Sequence, residues 1–227
     1  MKILCATTGE RCPRGLEHAE SLDWHERNGY LTDSRFGWAN AANALLDQAN
    51  DDALFLDDDI TLTPSTFHTF PEVDQHADVI GFTLFTRGNI TSAGFHALPN
   101  GDLRPQGNLI DLFRPSYVAH VTASCMWISR QVIDAGIRFP VWPGQHHEDV
   151  AFTYECWLKG FRVAYVPGVV LHDLDASMGV GATKAKLADF NQQRAVNAQC
   201  LRQWIADNDV AGAVKDGRIP TAFRGLE

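Results

Sequence analysis

Apolar residues in this chain come in short bursts between polar, helix-spaced stretches, and that rhythm predicts alternating strands and helices. Ile3, Leu4, Cys5 and Ala6 form a first buried strand that closes at Thr8 and Gly9. The mixed stretch 16–27 reads as helix. Ser34 caps a helix whose apolar face carries Phe36, Ala39, Ala42, Leu46 and Ala49. Ala53, Leu54, Phe55 and Leu56 then make a compact apolar run that stops at Asp57-Asp58-Asp59. Pro64 opens a short helix to Phe70, 79–85 is a strand, and 91–98 pairs with 107–113 about a Pro-Asn-Gly-Asp turn. Further on, 121–129 reads as strand, 131–135 as a short helix and 148–159 as an amphipathic helix closed by Gly160. Two strands, 162–166 and 169–172, flank Pro167-Gly168, and 183–208 is helical. This order predicts a mixed α/β fold: a mostly parallel central sheet with flanking helices.

Composition narrows the setting. The chain has 227 residues, 45% hydrophobic and 21% charged, as expected of a globular chain rather than a fibre or a disordered one. Lys+Arg 19 against Asp+Glu 28 gives a net charge of −9, which disfavours a broadly basic nucleic-acid surface. No apolar run approaches the roughly 18 residues of a membrane span, and the N-terminus lacks the signal-peptide pattern. Cys5, Cys12, Cys125, Cys156 and Cys200 match neither a disulfide framework nor a zinc spacing, so reduced thiols and a cytoplasmic location are expected. Nothing in the composition divides the chain, and residues 1–227 are read as one domain.

Three places carry candidate chemistry. Asp57, Asp58 and Asp59 follow a buried strand directly, where ligands of open α/β sheets bind. Adjacent carboxylates repel, and a hard cation such as Mn²⁺ or Mg²⁺ offsets that cost while leaving room for phosphates. An extended backbone would point Asp57 and Asp59 one way and Asp58 the other. An acidic turn leading to the next helix is the plainer alternative. His146, His147, Glu148 and Asp149 begin a helix, where acids also suit the helix dipole; a general base is the functional alternative. His172 ends the apolar run 169–171, as a loop histidine or as a ligand.

In this order the segments resemble a nucleotide-sugar glycosyltransferase of the GT-A fold, closest to family 2, over residues 36–200. The run from Leu54 to Pro64 resembles the family's metal-binding DxD strand, and Asn40-Ala41-Ala42-Asn43 the helix before it. Thr91 to Gly101 resembles the acceptor-side hairpin, and Ala123 to Arg130 the strand before a family turn that stands here, degraded, as Asp134 to Phe139. Glu148-Asp149, Gly160, Val166-Pro167 and His172 follow in family order. The resemblance implies a shortened N-terminal half, because 56 residues precede Asp57 where family members carry more strand–helix units. It also implies a division into a nucleotide-sugar and metal half (1–60), an acceptor half (61–182) and a C-terminal helical segment (183–227).

The implied activity is metal-dependent transfer of a sugar from a nucleotide donor, a UDP-sugar, to an acceptor hydroxyl with inversion. Asp57, Asp59 and His172 would hold the metal; Thr7, Thr8, Gly9, Arg11, Arg35, Asp57 and Asp58 would line the nucleotide sugar. Asp149 would be the base, with Glu148 orienting it, and Trp142 and His147 would face the acceptor. That acceptor is a glycan precursor or a hydroxymethylated pyrimidine in phage DNA. A metal-dependent nucleotidyltransferase or phosphohydrolase, and a catalytically silent glycan-binding module, share parts of this pattern.

Overall fold

The computed structural model describes residues 2–7, 13–16, 23–28, 37–68, 70, 73–105, 113–143, 146–173, 184–222 and 224–226. Strands β1 (Lys2–Thr7), β2 (Asp23–Asn28) and β3 (Ala53–Asp57) start the sheet, with helix α1 (Gly37–Leu46) leading into β3. Strand β4 (Ile60–Leu62) follows the acidic turn, then β5 (Val79–Thr86), β6 (Asn89–Ser92), β7 (Phe95–Ala97), β8 (Leu103–Pro105), β9 (Ser116–Tyr117) and β10 (Cys125–Ile128). Helices α2 (Arg130–Asp134) and α3 (Glu148–Leu158) precede β11 (Val163–His172). Helices α4 (Lys184–Asp207) and α5 (Val210–Lys215) and strand β12 (Arg224–Gly225) complete the order.

The strands of the main sheet lie in the order β12-β9-β11-β5-β10-β3-β1-β2, with β4 on β11 and β6 on β5. In its centre β2, β1, β3, β5 and β11 run one way and β10 runs against them. This is the mixed, mostly parallel sheet that the sequence pattern predicts. Both faces are covered, so alternate residues of one strand enter different cores. Leu4, Ala53 and Phe55 pack with α1, Phe139 and Phe152, whereas Ile3, Leu54 and Leu56 pack with Ile80, Phe82 and Trp127. Phe55 has no exposed surface, and burying such a side chain contributes about 1.5–3 kcal/mol. A third cluster joins Tyr154 of α3 to Ile205, Val210 and Ile219 of the C-terminal segment. It fixes α4 beside the start of α3.

Four local expectations are corrected. Residues 23–28 form a strand, not helix, because β1 offers a free edge and its whole length pairs in parallel, Lys2 with Asp23 through Thr7 with Asn28. Residues 64–68 form successive turns rather than an α-helix: the Thr63 and Thr66 hydroxyls both donate to Val169 O, at 2.8 and 2.6 Å, which ties this segment to β11. The hairpin closes earlier than expected, β7 pairing with β8, and 107–112 lie outside the described residues. Finally, Pro167-Gly168 does not divide two strands. It is a bulge within β11, whose register against β5 shifts between Val166 and Val169. Gly168 is required there, since a Cβ would sit 2.0 Å from Thr66 O.

Candidate functional site

The acidic triplet sits where β3 ends. Its strand stops at Asp57, and Asp58-Asp59 turn the chain into β4, so the turn rather than strand alternation brings Asp57 and Asp59 together. Strand β4 pairs antiparallel with the end of β11, placing His172 opposite Ile60, next to Asp59. One ligand atom each from Asp57, Asp59 and His172 lie within 4.8 Å of one another. Asp58 is half-buried and stands outside this trio.

The electrostatics of the trio are unbalanced. Burial, aided by the neighbouring Asp59, pushes the Asp57 carboxyl up to about 6, against hydrogen bonds from Ser124 and Trp38 and the His172 charge. Trp38 of α1 donates its indole N–H to Asp57 Oδ1 at 3.2 Å while stacking edge-on against Phe55 and Phe139, so a core residue also fixes the carboxylate. Burial opposes the His172 cation, but Asp59, Asp57 and Asp173 outweigh it and its pKa is raised. His172 Nε2, 3.2 Å from Asp59 Oδ1, is the charged partner of that buried oxygen, which has no further hydrogen bond among the described residues. Two carboxylates and an imidazole fit Mn²⁺ or Mg²⁺, and a cation among them would give that oxygen a further partner.

The second acidic pair lies at the N-terminus of α3. Glu148 is 3% exposed and accepts the His146 N–H at 2.6 Å and the Asn197 amide at 3.3 Å. Burial raises its pKa to about 7. Asp149 is more open. Its Oδ1 accepts the Val150 N–H at 2.9 Å, and its Oδ2 accepts the Ala123 N–H at 3.3 Å. The next residue, Ser124, bonds Asp57, so one short segment holds both acidic centres.

His146 and His147 carry positive φ values of 154° and 70°, unfavourable for side-chain-bearing residues. Asn197 of α4 donates to His146 O at 3.0 Å and so braces this strained turn. Burial lowers the pKa of both histidines, with Arg194 contributing and Asp149 opposing.

Of the remaining sequence candidates, Trp142 is half-buried on the loop before α3. Trp127 and Trp157 are packing residues; Trp157 donates to Val118 O at 3.0 Å. Thr7 closes β1 in backbone, while its side chain and Thr8, Gly9, Arg11 and Arg35 lie outside the described residues. Trp38, His120, Ser124 and Asn197 escaped the sequence reading, because each is a lone polar or aromatic group whose partner is remote in sequence.

No protein-family model and no curated protein matches the chain. Among solved structures it is similar to the A197 protein from STIV, at 14% identity and TM-score 0.49 over 75% of this chain and 84% of that one. It is also similar to the 1–349 portion of S. aureus TarS in complex with UDP-GlcNAc, at 16% identity and TM-score 0.48 over 76% of this chain. A third similarity is to GalNAc-T7 with UDP, GalNAc and Mn²⁺, at 11% identity and TM-score 0.49 over 92% of this chain. The chain spans 57% and 54% of the latter two. Likeness at this level leaves function to the chain's own strand order and side chains. Among the described residues, no helix is long and apolar enough to cross a membrane.

Proposed function

We propose that this protein is a metal-dependent glycosyltransferase that moves a hexosyl or pentosyl group from a nucleotide sugar, a UDP-sugar, to an acceptor hydroxyl with inversion. The observation that carries this reading is the Asp57–Asp59–His172 trio at the end of a central strand, with the Asp149 carboxylate anchored one residue along the segment that anchors Asp57. Mn²⁺ or Mg²⁺ held by the trio would supply positive charge where the diphosphate leaves.

The chain's own groups then divide the work. Asp149, anchored on two backbone N–H groups, takes the proton of the acceptor hydroxyl as general base. Glu148 locks the 146–148 turn and thereby the direction of Asp149. Asp58, Thr7, Thr8, Gly9, Arg11 and Arg35 line the nucleotide sugar, and Trp142 and His147 face the acceptor. The acceptor is a glycan precursor or a hydroxymethylated pyrimidine in DNA. Residues 1–227 act as one cytoplasmic domain, with the nucleotide half at 1–60, the acceptor half at 61–182 and the helical segment at 183–227.

Thermal unfolding against a panel of nucleotide sugars, with and without Mn²⁺, tests the reading. A donor should raise Tm only when Mn²⁺ is present, by linkage. Absence of stabilisation by every nucleotide sugar, or stabilisation equal in EDTA, would overturn it.

A further inference from the structure

Behind Asp149 lies a buried imidazole. His120 is 3% exposed, with its ring centroid 5.1 Å from that of Phe95. Its Nδ1 is 3.0 Å from Thr153 Oγ1, and its Nε2 is 3.8 Å from Asp149 Oδ2. Thr153 follows Asp149 by one helical turn on the same face, and its hydroxyl lies 3.0 Å from the carbonyl oxygens of both Asp149 and Val150. Carbonyl oxygens only accept, so the hydroxyl proton belongs to them and Nδ1–H donates to Thr153 Oγ1. Nε2 is therefore left as a bare lone pair facing the carboxylate. The 3.8 Å separation agrees, because a proton between an imidazolium and a carboxylate would draw them to about 2.7–2.9 Å.

The surroundings keep the ring neutral. Burial disfavours its cation, and His147 adds to this while Asp149 opposes it. The charged and titratable groups about this pair are Asp149 and Glu148 on α3, His146 and His147 on the turn before it, and Arg194 on α4 beside those histidines.

We propose that His120 is a positioning residue for the base: its Nε2 lone pair receives a hydrogen bond from the Asp149 carboxyl once that group has taken the acceptor's proton. The inference rests on the role of Asp149 proposed above. In the step, the acceptor O–H bond breaks and its electron pair forms the bond to the anomeric carbon. The bond from that carbon to the diphosphate oxygen breaks, its electrons leave with the diphosphate, and the proton stays on Asp149. At rest a carboxylate meets a lone pair; after transfer a carboxyl O–H meets an acceptor. His120 thus favours the protonated base and acts only through it.

Two measurements test this. The first is ¹⁵N NMR of the whole imidazole-labelled protein at neutral pH, the His120 signals being assigned by their absence in His120→Phe or His120→Gln. The expected result is a protonated Nδ1 and a bare Nε2, the preference weakening in Thr153→Val, which removes the hydroxyl that fixes the tautomer. A protonated Nε2 or a charged ring overturns the proposal whatever reaction the chain performs. The second is the pH profile of transfer. His120→Phe keeps the ring packing but removes the lone pair, so kcat should fall about tenfold, the worth of one hydrogen bond. The acid limb should move to lower pH and donor KM stay unchanged, and His120→Gln, which can present an amide oxygen, should recover part of the rate. An unmoved acid limb, or one moved to higher pH, overturns the proposal. The expected tautomer in a wild-type chain with no transferase activity would instead overturn the transferase reading, and with it the base that His120 serves.

Discussion

Asp149 and Asp57 are held by consecutive residues of one backbone segment: Asp149 Oδ2 accepts the Ala123 N–H at 3.3 Å, while Ser124 accepts the Asp57 N–H on its carbonyl at 3.0 Å and hydrogen-bonds the Asp57 carboxylate. Asp149 and the Asp57–Asp59–His172 trio therefore cannot move independently by much. A carboxylate must be placed to within a fraction of an ångström to act on a hydroxyl, and this tether would supply that constraint for the proposed base.

The first prediction concerns the base. Asp149→Asn retains the size of the side chain and one of its two backbone N–H contacts but removes proton affinity. It should lower kcat at least about a hundredfold, with donor-induced thermal stabilisation in Mn²⁺ unchanged. Equal loss of donor binding would reassign Asp149 to the donor side and make Glu148 the preferred base.

The metal trio gives an opposed pair of effects. Asp59→Asn relieves the repulsion that adds to burial in raising the Asp57 pKa, but it also takes away the main partner of the His172 cation, so the metal-free protein should change little in stability. The same change removes a ligand, so the Mn²⁺-dependent rise in Tm should vanish together with activity. At a hundredfold excess over Kd that rise corresponds to about 2.7 kcal/mol in the wild type. Asp58→Ala, outside the trio, should keep the Mn²⁺ response. Full activity of Asp59→Asn in EDTA would end the metal assignment.

How much of this was legible in the residues differs by element. Ala53 to Leu56 ending in three acids could be read because a strand buried on both faces must be apolar throughout, and its end must be polar. The pairing of Asp57 with Asp59 was also legible, though for a different physical reason, since a turn and not strand alternation produces it. Strand β2 was not legible: its residues lack strand character, and only the unpaired edge of β1 recruits them. His120 and Asn197 were invisible for a related reason. Their roles come from Thr153 and Asp149, and from His146 and Glu148, which one sequence does not connect to them.

Stability should fall as pH rises through the Glu148 titration. Its pKa goes from an ordinary 4.5 to about 7 on folding, so between these values the folded chain holds a proton that the unfolded chain has released. A raised carboxylate pKa costs stability as pH climbs, up to about 3 kcal/mol at and above pH 7. Asp57, pushed to about 6, adds to the same slope in metal-free protein. The lowered pKa values of His120, His146 and His147 act the other way below about pH 6.5. The measurement is therefore the difference between wild type and Glu148→Gln in urea denaturation in EDTA from pH 5 to 8, which should shift in favour of the variant as pH rises. A difference that stays constant across the window would contradict the burial of Glu148.

Gly168 links packing to the site. A Cβ there would lie 2.0 Å from Thr66 O, a backbone atom, so Gly168→Ala must displace the bulge of β11 that delivers His172. A cost of about 1–3 kcal/mol is expected, accompanied by weaker Mn²⁺ stabilisation. Unchanged stability would mean that the 63–66 turn yields easily, and the metal response would then be retained as well.

The strained turn before α3 gives a test of the proposed acceptor face. His147 holds φ at 70° with no side-chain capping bond, a conformation that glycine adopts without penalty and other residues at about 1–3 kcal/mol. Strain of this kind persists where a side chain is needed for another purpose. His147→Gly should therefore stabilise the fold, by no more than that strain, yet raise the acceptor KM while leaving the donor KM unchanged; Trp142→Ala should raise the acceptor KM in the same way. Salt then separates acceptor classes, because a DNA acceptor releases counterions and its affinity falls steeply with log[salt], whereas a neutral glycan is nearly indifferent. Transfer to hydroxymethylated duplex DNA and to simple glycosides, each across a salt series for wild type and both variants, reads all of these effects. A His147→Gly protein that is more stable and equally active on either acceptor would leave the strain without a role in acceptor binding, and the acceptor face would have to be sought away from this turn.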